Sequence, residues 1–320
     1  MFAVYAASFD AADPLSGLVI GEQPEPEVRP GWSRVHVRAA SVNHHDIWTL
    51  KGVGITAERL PMILGCDAAG TDDSGNPVLI HSVIADPGYD DESMDPGRSL
   101  LSEVHPGTFA DQVAVPERNI LPLPAGFSFA EAACLPTAWL TAYRMLATRS
   151  GLRPGDTVLV QGAGGGVATA CIMLGRLMGF RVWVTSRDDA KRDHAVQIGA
   201  HDVFPTGARL PQRVDAVMET VGAATWDHSL KSLRPGGRIV VSGATSGTNP
   251  PADLARVFFK QLEVVGSTMG TRSELQQLVS LLDLSGVRPL IAAELPMTRA
   301  DEALRAVAAG DVFGKSVLTR

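Results

Sequence analysis

The sequence predicts an α/β protein in which a doubly wound parallel sheet is joined to a β-rich unit. Three observations point there. From about residue 129, short and nearly continuous apolar runs alternate with helical stretches of ten or so residues, the pattern of parallel strands covered on both faces. One of those runs breaks into a glycine cluster at 162–166 before a helix begins. The first 120 residues instead hold short strand-like runs separated by Gly, Pro and Asp, which reads as β-rich.

In chain order, 32–42 alternates apolar and polar side chains as a half-buried strand does. Apolar runs follow at 78–84 and 109–115. Between them, 85–100 is acidic and rich in turn formers, and reads as a solvated surface excursion. Its Asp86, Asp90, Asp91, Glu92 and Asp95 lack the spacing of a calcium loop. The segment 129–150 is helical in character except at Pro136. Strands are expected at 157–162, 181–186, 214–220, 238–243 and 262–268, and helices at 167–179, 189–198 and 224–233, with one more helix before the last strand. Two further helices, 272–284 and 298–309, and short strands close the chain. The expected division is 1–125, completed by 271–320, and 126–270.

Composition removes whole classes. With 45% apolar and 20% charged residues, the 320-residue chain can build sizeable cores and suits two domains. A net charge of -7 argues against nucleic acid and against an anionic membrane surface. No apolar run approaches the roughly 18–20 residues that span a bilayer, and the N-terminus has no basic region of a signal peptide. Cys66, Cys134 and Cys171 are far apart, odd in number and never in a CxxC spacing. A reducing cytoplasm is the expectation.

The strongest local motif is the run from Val158 through Gly162, Gly164, Gly165 and Gly166 to Ala168. A buried strand enters a glycine turn and opens a helix, as in the Rossmann dinucleotide fingerprint. Glycines let backbone approach a pyrophosphate, and the helix N-terminus presents unpaired N–H groups. About 20 residues on, the second strand ends at Ser186 and Arg187, with Lys191 one helical turn later. A hydroxyl and a guanidinium suit an adenosine 2′-phosphate, which favours NADP(H). The competing reading makes Arg187 a solvated helix-start residue and gives Asp188 the ribose hydroxyls of NAD.

With these motifs in view, the whole chain resembles the medium-chain dehydrogenase/reductase superfamily, and within it the zinc-free quinone oxidoreductase and zeta-crystallin branch. The matching pieces run in family order: Asn43-His44-His45-Asp46-Ile47-Trp48, the run Ile63 to Gly70, the run Gly107 to Asp111, and the run Leu135 to Tyr143. They continue with Gly151 to Asp156, the glycine turn, Leu233 to Gly237, and Gly314-Lys315-Ser316-Val317-Leu318. The resemblance implies a GroES-like β-rich domain, an inserted Rossmann domain, a C-terminal return to the first, and a cleft for nicotinamide and substrate. It places the cofactor against Asn43, Thr137, Gly162, Gly164, Gly165, Gly166, Val167, Ser186, Arg187, Lys191, Thr220, Val221, Ser242, Gly243, Ala244, Ser267, Thr268, Gly314 and Lys315. Cys66, Thr137 and Met269 would line the substrate pocket.

The departures set the subclass. The catalytic zinc positions of related alcohol dehydrogenases fall on Asn43, Cys66 and Thr137, and 81–115 holds none of the cysteines of a structural zinc lobe. An amide, a thiol and a hydroxyl make a poor zinc site, so no metal is expected. Asn43 is then the candidate donor to a substrate oxygen, or else a helix cap. Trp48, where the branch has tyrosine, is an aromatic wall or core. Asp46 is read as a structural acceptor. His45, where the zinc enzymes relay protons, is either a general acid/base or a pocket lining. His36, His81, His194, His201 and His228 receive no role. The implied activity is zinc-independent hydride transfer from NADPH to an α,β-unsaturated carbonyl or quinone. A zinc-free carbonyl reductase, alcohol dehydrogenase or reductive cyclase is the first alternative, and a nucleotide-binding protein of structural role the second. The family's habit of pairing the last Rossmann strand across a two-fold, with the β-branched run 261–267, implies a homodimer.

Overall fold

The computed structural model describes all of residues 1–320. The chain divides into two compact units: Met1–Leu140 together with Met269–Arg320, and Thr141–Thr268.

The first unit is built on a seven-stranded sheet. Its centre is the long strand Trp32–Ser41, which pairs antiparallel with Asp67–Asp72, Gln112–Pro116 and the C-terminal strand Lys315–Thr319. Inward side chains of these strands (Val35, Val37, Val113, Leu318) pack with Leu64, Ile80, Phe109 and Leu304 into one core. The last strand therefore brings Lys315 onto the sheet that carries Ser41 and Asp67. Helix Phe129–Ala133 packs on Trp32–Ser41 and Asp67–Asp72. The segment 126–140, expected in the second unit, thus belongs with the first, because its apolar face is buried on that sheet. Pro136 does not break the chain's helical course. It sits in a π-helical stretch, Leu135–Trp139, where the wider turn accommodates a residue with no N–H to donate.

Two local expectations are corrected. The excursion 85–100 is not simply solvated: Glu92, Ser93, Asp95 and Ser99 are buried. Glu92 pairs with Arg118 at 3.1 Å and Asp95 accepts from the Asp86 and Gly97 amides. Glu92 and Asp95 turn inward because they have partners, while Asp86 and Asp90 stay exposed, and composition alone does not reveal partners. Trp48 is not core; it is partly exposed on helix His44–Leu50, with the Lys51 ammonium over its ring at 5.2 Å.

The second unit is a six-stranded, wholly parallel sheet. Its spatial order is Asp202–Pro205, Arg181–Ser186, Thr157–Gln161, Val214–Glu219, Leu233–Val241, Glu263–Gly266. Numbered along the chain this is 3-2-1-4-5-6, the doubly wound dinucleotide-binding order, whose switch point lies between the first and fourth strands. Leu159, Trp183, Val217 and Ile239 fill the core beneath helix Ala223–Ser232. The strand Asp202–Pro205 was not legible in the sequence: it is a short, half-exposed edge with little apolar signal. Helix ends follow their sequence signals. Thr271 and Glu274 form a reciprocal capping box at the start of helix Arg272–Ser285, and Gly286 ends it in a left-handed conformation.

Candidate functional site

In the second unit, the expected cofactor residues gather at the carboxyl ends of the parallel strands. Gly162 follows Thr157–Gln161 with φ of 82°, a left-handed turn that a side chain would strain. Gly165 then stands as the N-cap of helix Gly166–Leu177 with no side chain capping the helix. Its uncapped N–H groups at Gly166 and Val167 are what an anion would meet. Thr220 and Val221 follow Val214–Glu219, Ser242, Gly243 and Ala244 follow Leu233–Val241, and Ser267 and Thr268 follow Glu263–Gly266.

At the second strand tip, Ser186 is buried and its hydroxyl accepts from the Asp188 amide, which leaves its own hydrogen to donate. Arg187 is exposed. Asp188 is the N-cap of helix Asp189–Gln197, its carboxylate accepting from the Lys191 amide. Asp188 caps that helix through Oδ1, and the guanidinium beside it stands in solvent.

In the first unit, Asn43, Cys66, Asp67, Thr137 and Lys315 meet in one buried cage. Asp67 is fully buried, and its carboxylate accepts from four groups: Ser41 Oγ at 2.8 Å, Asn43 Nδ2 at 2.8 Å, Thr137 Oγ1 at 2.5 Å and Ser82 Oγ at 3.3 Å. Lys315, 3% exposed, donates to Val42 O at 2.7 Å and Asn43 Oδ1 at 2.6 Å, and lies 3.8 Å from Asp67 Oδ2. An ammonium has no acceptor, so it fixes which way the Asn43 amide faces. The second Asn43 N–H goes to Ser41 O at 3.2 Å.

Asn43 has both amide hydrogens engaged, so it is not a free donor to a substrate oxygen. Lys315, expected at the cofactor, is enclosed with Asn43 and Asp67. Asn43 is the N-cap of the following helix and forms a capping box with Asp46. Asp46 is the structural acceptor expected: it accepts from the amides of Asn43 at 2.8 Å and Gly65 at 3.0 Å. Complete burial pushes its carboxyl up to about 6, against the opposing pull of His45 and the Asn43 amide.

Cys66 is buried with its Sγ 3.3 Å from Thr137 Oγ1. Burial, then the negative Asp67 and Asp46, raise its thiol far above the ordinary range. Met269 is buried in a left-handed backbone conformation, and Gly314 precedes Lys315 with φ of 111°. His45 points Nδ1 at Glu103 Oε1 across 4.0 Å, and its Nε2 is buried without a partner. Neighbouring His44 is held below its ordinary range by desolvation, then by Lys315 and Lys51.

This donor set does not fit zinc. A metal would meet an engaged amide, a thiol that resists ionisation and a hydroxyl already given to Asp67, with an ammonium beside them. No group of three or more His, Cys, Asp or Glu side chains is placed to hold a metal ion. Sequence reasoning missed Asp67, Ser41 and Ser82; the signal was an ionisable residue inside the apolar run from Met62 to Ala69, since a buried charge requires partners.

Comparison with known proteins agrees with both units. Residues 29–125 match the alcohol dehydrogenase GroES-like domain family, and residues 166–283 the zinc-binding dehydrogenase family. The crystal structure of an NAD-dependent alcohol dehydrogenase is 32% identical, with a TM-score of 0.92 and full coverage of both chains. An acryloyl-coenzyme A reductase of Sulfurisphaera tokodaii is 28% identical over 94% of this chain and 96% of its own. The spectinabilin polyketide synthase protein NorB of Streptomyces orinoci is 29% identical over 94% of this chain, which spans only 14% of that synthase. The chain belongs to the medium-chain dehydrogenase/reductase superfamily, as an oxidoreductase of the alcohol dehydrogenase-like fold.

Proposed function

We propose that the protein is a zinc-independent reductase that uses NADPH to reduce an α,β-unsaturated carbonyl or quinone. The observation that carries the cofactor half is the tip of strand Arg181–Ser186: Ser186 keeps a hydrogen to donate, Arg187 is exposed beside it, and Asp188 is engaged as a helix cap. When bound, NADPH supplies the hydride. The glycine turn and the uncapped helix at Gly166 and Val167 hold its pyrophosphate, and Ser186, Arg187 and Lys191 take its 2′-phosphate. Thr220, Val221, Ser242, Gly243 and Ala244 position the nicotinamide half.

The substrate half rests on the cage around Asp67. With no metal to polarise an alcohol or aldehyde, reduction of a conjugated system is favoured, because it spreads the developing charge over the substrate itself. The cage of Asn43, Thr137 and Lys315 supplies a rigid polar wall, and Cys66 and Met269 the pocket's apolar part. His45 delivers the proton from Nε2. The acryloyl-coenzyme A reductase, by its name, acts on a substrate of this class.

The protein assembles as a homodimer through the open edge of the six-stranded sheet. Edge strand Glu263–Gly266 has no strand partner on one side and carries an exposed Val264, with Leu254, Phe258 and Phe259 exposed on the helix before it. An apolar edge of this kind needs covering.

The test is NADPH consumption with a panel of enones, quinones and aldehydes. Turnover of enones or quinones above aldehydes supports the reading. Preference for simple aldehydes moves it to the carbonyl reductase alternative, and NADPH binding without turnover to a structural role.

A further inference from the structure

Behind the strand ends of the second unit lies a chain of buried polar groups that the proposed reaction does not use. Glu219, the last residue of Val214–Glu219, is fully buried. Its Oε1 accepts from the amides of Val221 at 2.8 Å and Gly222 at 3.0 Å. Thr225 Oγ1 lies 2.9 Å from both carboxylate oxygens, and Ser229 Oγ donates to Oε2 at 2.5 Å. Ser229 in turn accepts from Gln161 Nε2 at 3.0 Å, and Gln161 Oε1 accepts from Thr185 Oγ1 at 2.6 Å.

The remaining Gln161 hydrogen goes to His228 Nδ1 at 2.9 Å, and His228 Nε2 reaches the Ala208 carbonyl at 2.8 Å. A carbonyl only accepts, so Nε2 carries the hydrogen and Nδ1 receives one from Gln161. Every donor in the chain then has a direction. The network ties the ends of the first, second and fourth strands and helix Ala223–Ser232 to the two amides of Val221 and Gly222.

Those amides need fixing. Gly222 has φ of 89°, and a Cβ there would lie 2.5 Å from Gly247 O. The same turn is strapped from the other side, where Ser246 donates through both its amide and its hydroxyl to Val221 O. Four donors satisfy the two buried oxygens, as a buried carboxylate requires, and two of the four are the amides of this turn.

We propose that Glu219 is a positioning residue of the cofactor site. Its carboxylate holds the Val221–Gly222 backbone in the shape that seats the nicotinamide half, and Gln161 and His228 hold it through Ser229. This rests on the NADPH reading above. The test uses two ligands on the intact protein: NADPH, and adenosine 2′,5′-bisphosphate, which has the phosphate-bearing adenosine but no nicotinamide. Glu219→Ala weakens NADPH about tenfold, as expected for leaving buried amides without their acceptor, and leaves the bisphosphate within about twofold.

Glu219→Gln keeps one carbonyl acceptor and recovers part of the loss. In both variants the KM for NADPH rises while kcat at saturation holds. Ser229→Ala, which leaves Glu219 in place, shifts NADPH in the same direction by a smaller factor and keeps the proposal testable if Glu219→Ala does not fold. Equal weakening of both ligands, or of neither, overturns the proposal. Wild-type protein that binds the bisphosphate but not NADPH also overturns it. Wild-type protein that binds neither overturns the cofactor reading, and the positioning role with it.

Discussion

Arg187 and Lys315 show how differently two cations of one chain are used. Arg187 stands in solvent at a strand tip, and a charge-assisted contact to phosphate there is worth about 1.5–3 kcal/mol. Arg187→Ala therefore weakens NADPH by about one to two orders of magnitude and leaves NADH nearly unchanged. Dissociation constants for both cofactors check it. Equal weakening assigns the residue a structural role, and the related alcohol dehydrogenase named as NAD-dependent makes this comparison informative. Lys315 is enclosed with Asp67 and Asn43, so removing its charge leaves a buried carboxylate without its counter-ion. Lys315→Met should cost about 3–5 kcal/mol, read as a fall in the urea midpoint, and Lys315→Met with Asp67→Asn should recover part of it. At this scale the sequence was half legible. The positions Asn43, Cys66, Thr137 and Lys315 were found by motif, but which hydrogen of Asn43 goes where depends on Asp67 and Lys315, which are far apart in the chain.

At the scale of elements, the start of helix His44–Leu50 carries a pH signature. Asp46 has its folded value raised by burial to about 6, so its protonated form is favoured in the folded state. Its ionisation penalty is absent below the unfolded value near 4, grows as pH rises and is complete above about 6–7. Two units of displacement correspond to roughly 3 kcal/mol. Asp46→Asn cannot ionise, so the stability of wild type relative to this variant should fall by roughly 1–2 kcal/mol between pH 5 and 7.5. A difference independent of pH, from denaturant unfolding at each pH, contradicts it. The edge element gives a second prediction: Phe258→Ser with Phe259→Ser should shift the protein from dimer to monomer by light scattering, and a wild-type monomer at micromolar concentration sinks the assembly. Strands with strong apolar runs and helices with capping residues were readable in advance. Asp202–Pro205 was not, because a half-exposed edge strand takes its order from the neighbour it pairs with.

For the whole molecule, a parallel doubly wound sheet was legible in the alternation of apolar runs and the glycine turn, but its order 3-2-1-4-5-6 was not, because the third strand, Asp202–Pro205, gave little apolar signal. The placing of 126–140 was not, because a helix's sequence gives its apolar face and not the sheet that face will meet. The same limit applies to the site: motifs located the positions where related alcohol dehydrogenases hold zinc, and only the folded sheet shows an ammonium and a carboxylate beside them. Zinc independence is the central claim, and its most direct measurement is NADPH-dependent turnover of an enone after exhaustive dialysis against a strong chelator, with zinc quantified in the same sample. The account predicts undiminished turnover with far less than one zinc per chain. Stoichiometric zinc, or activity lost on chelation and restored by zinc, would contradict it.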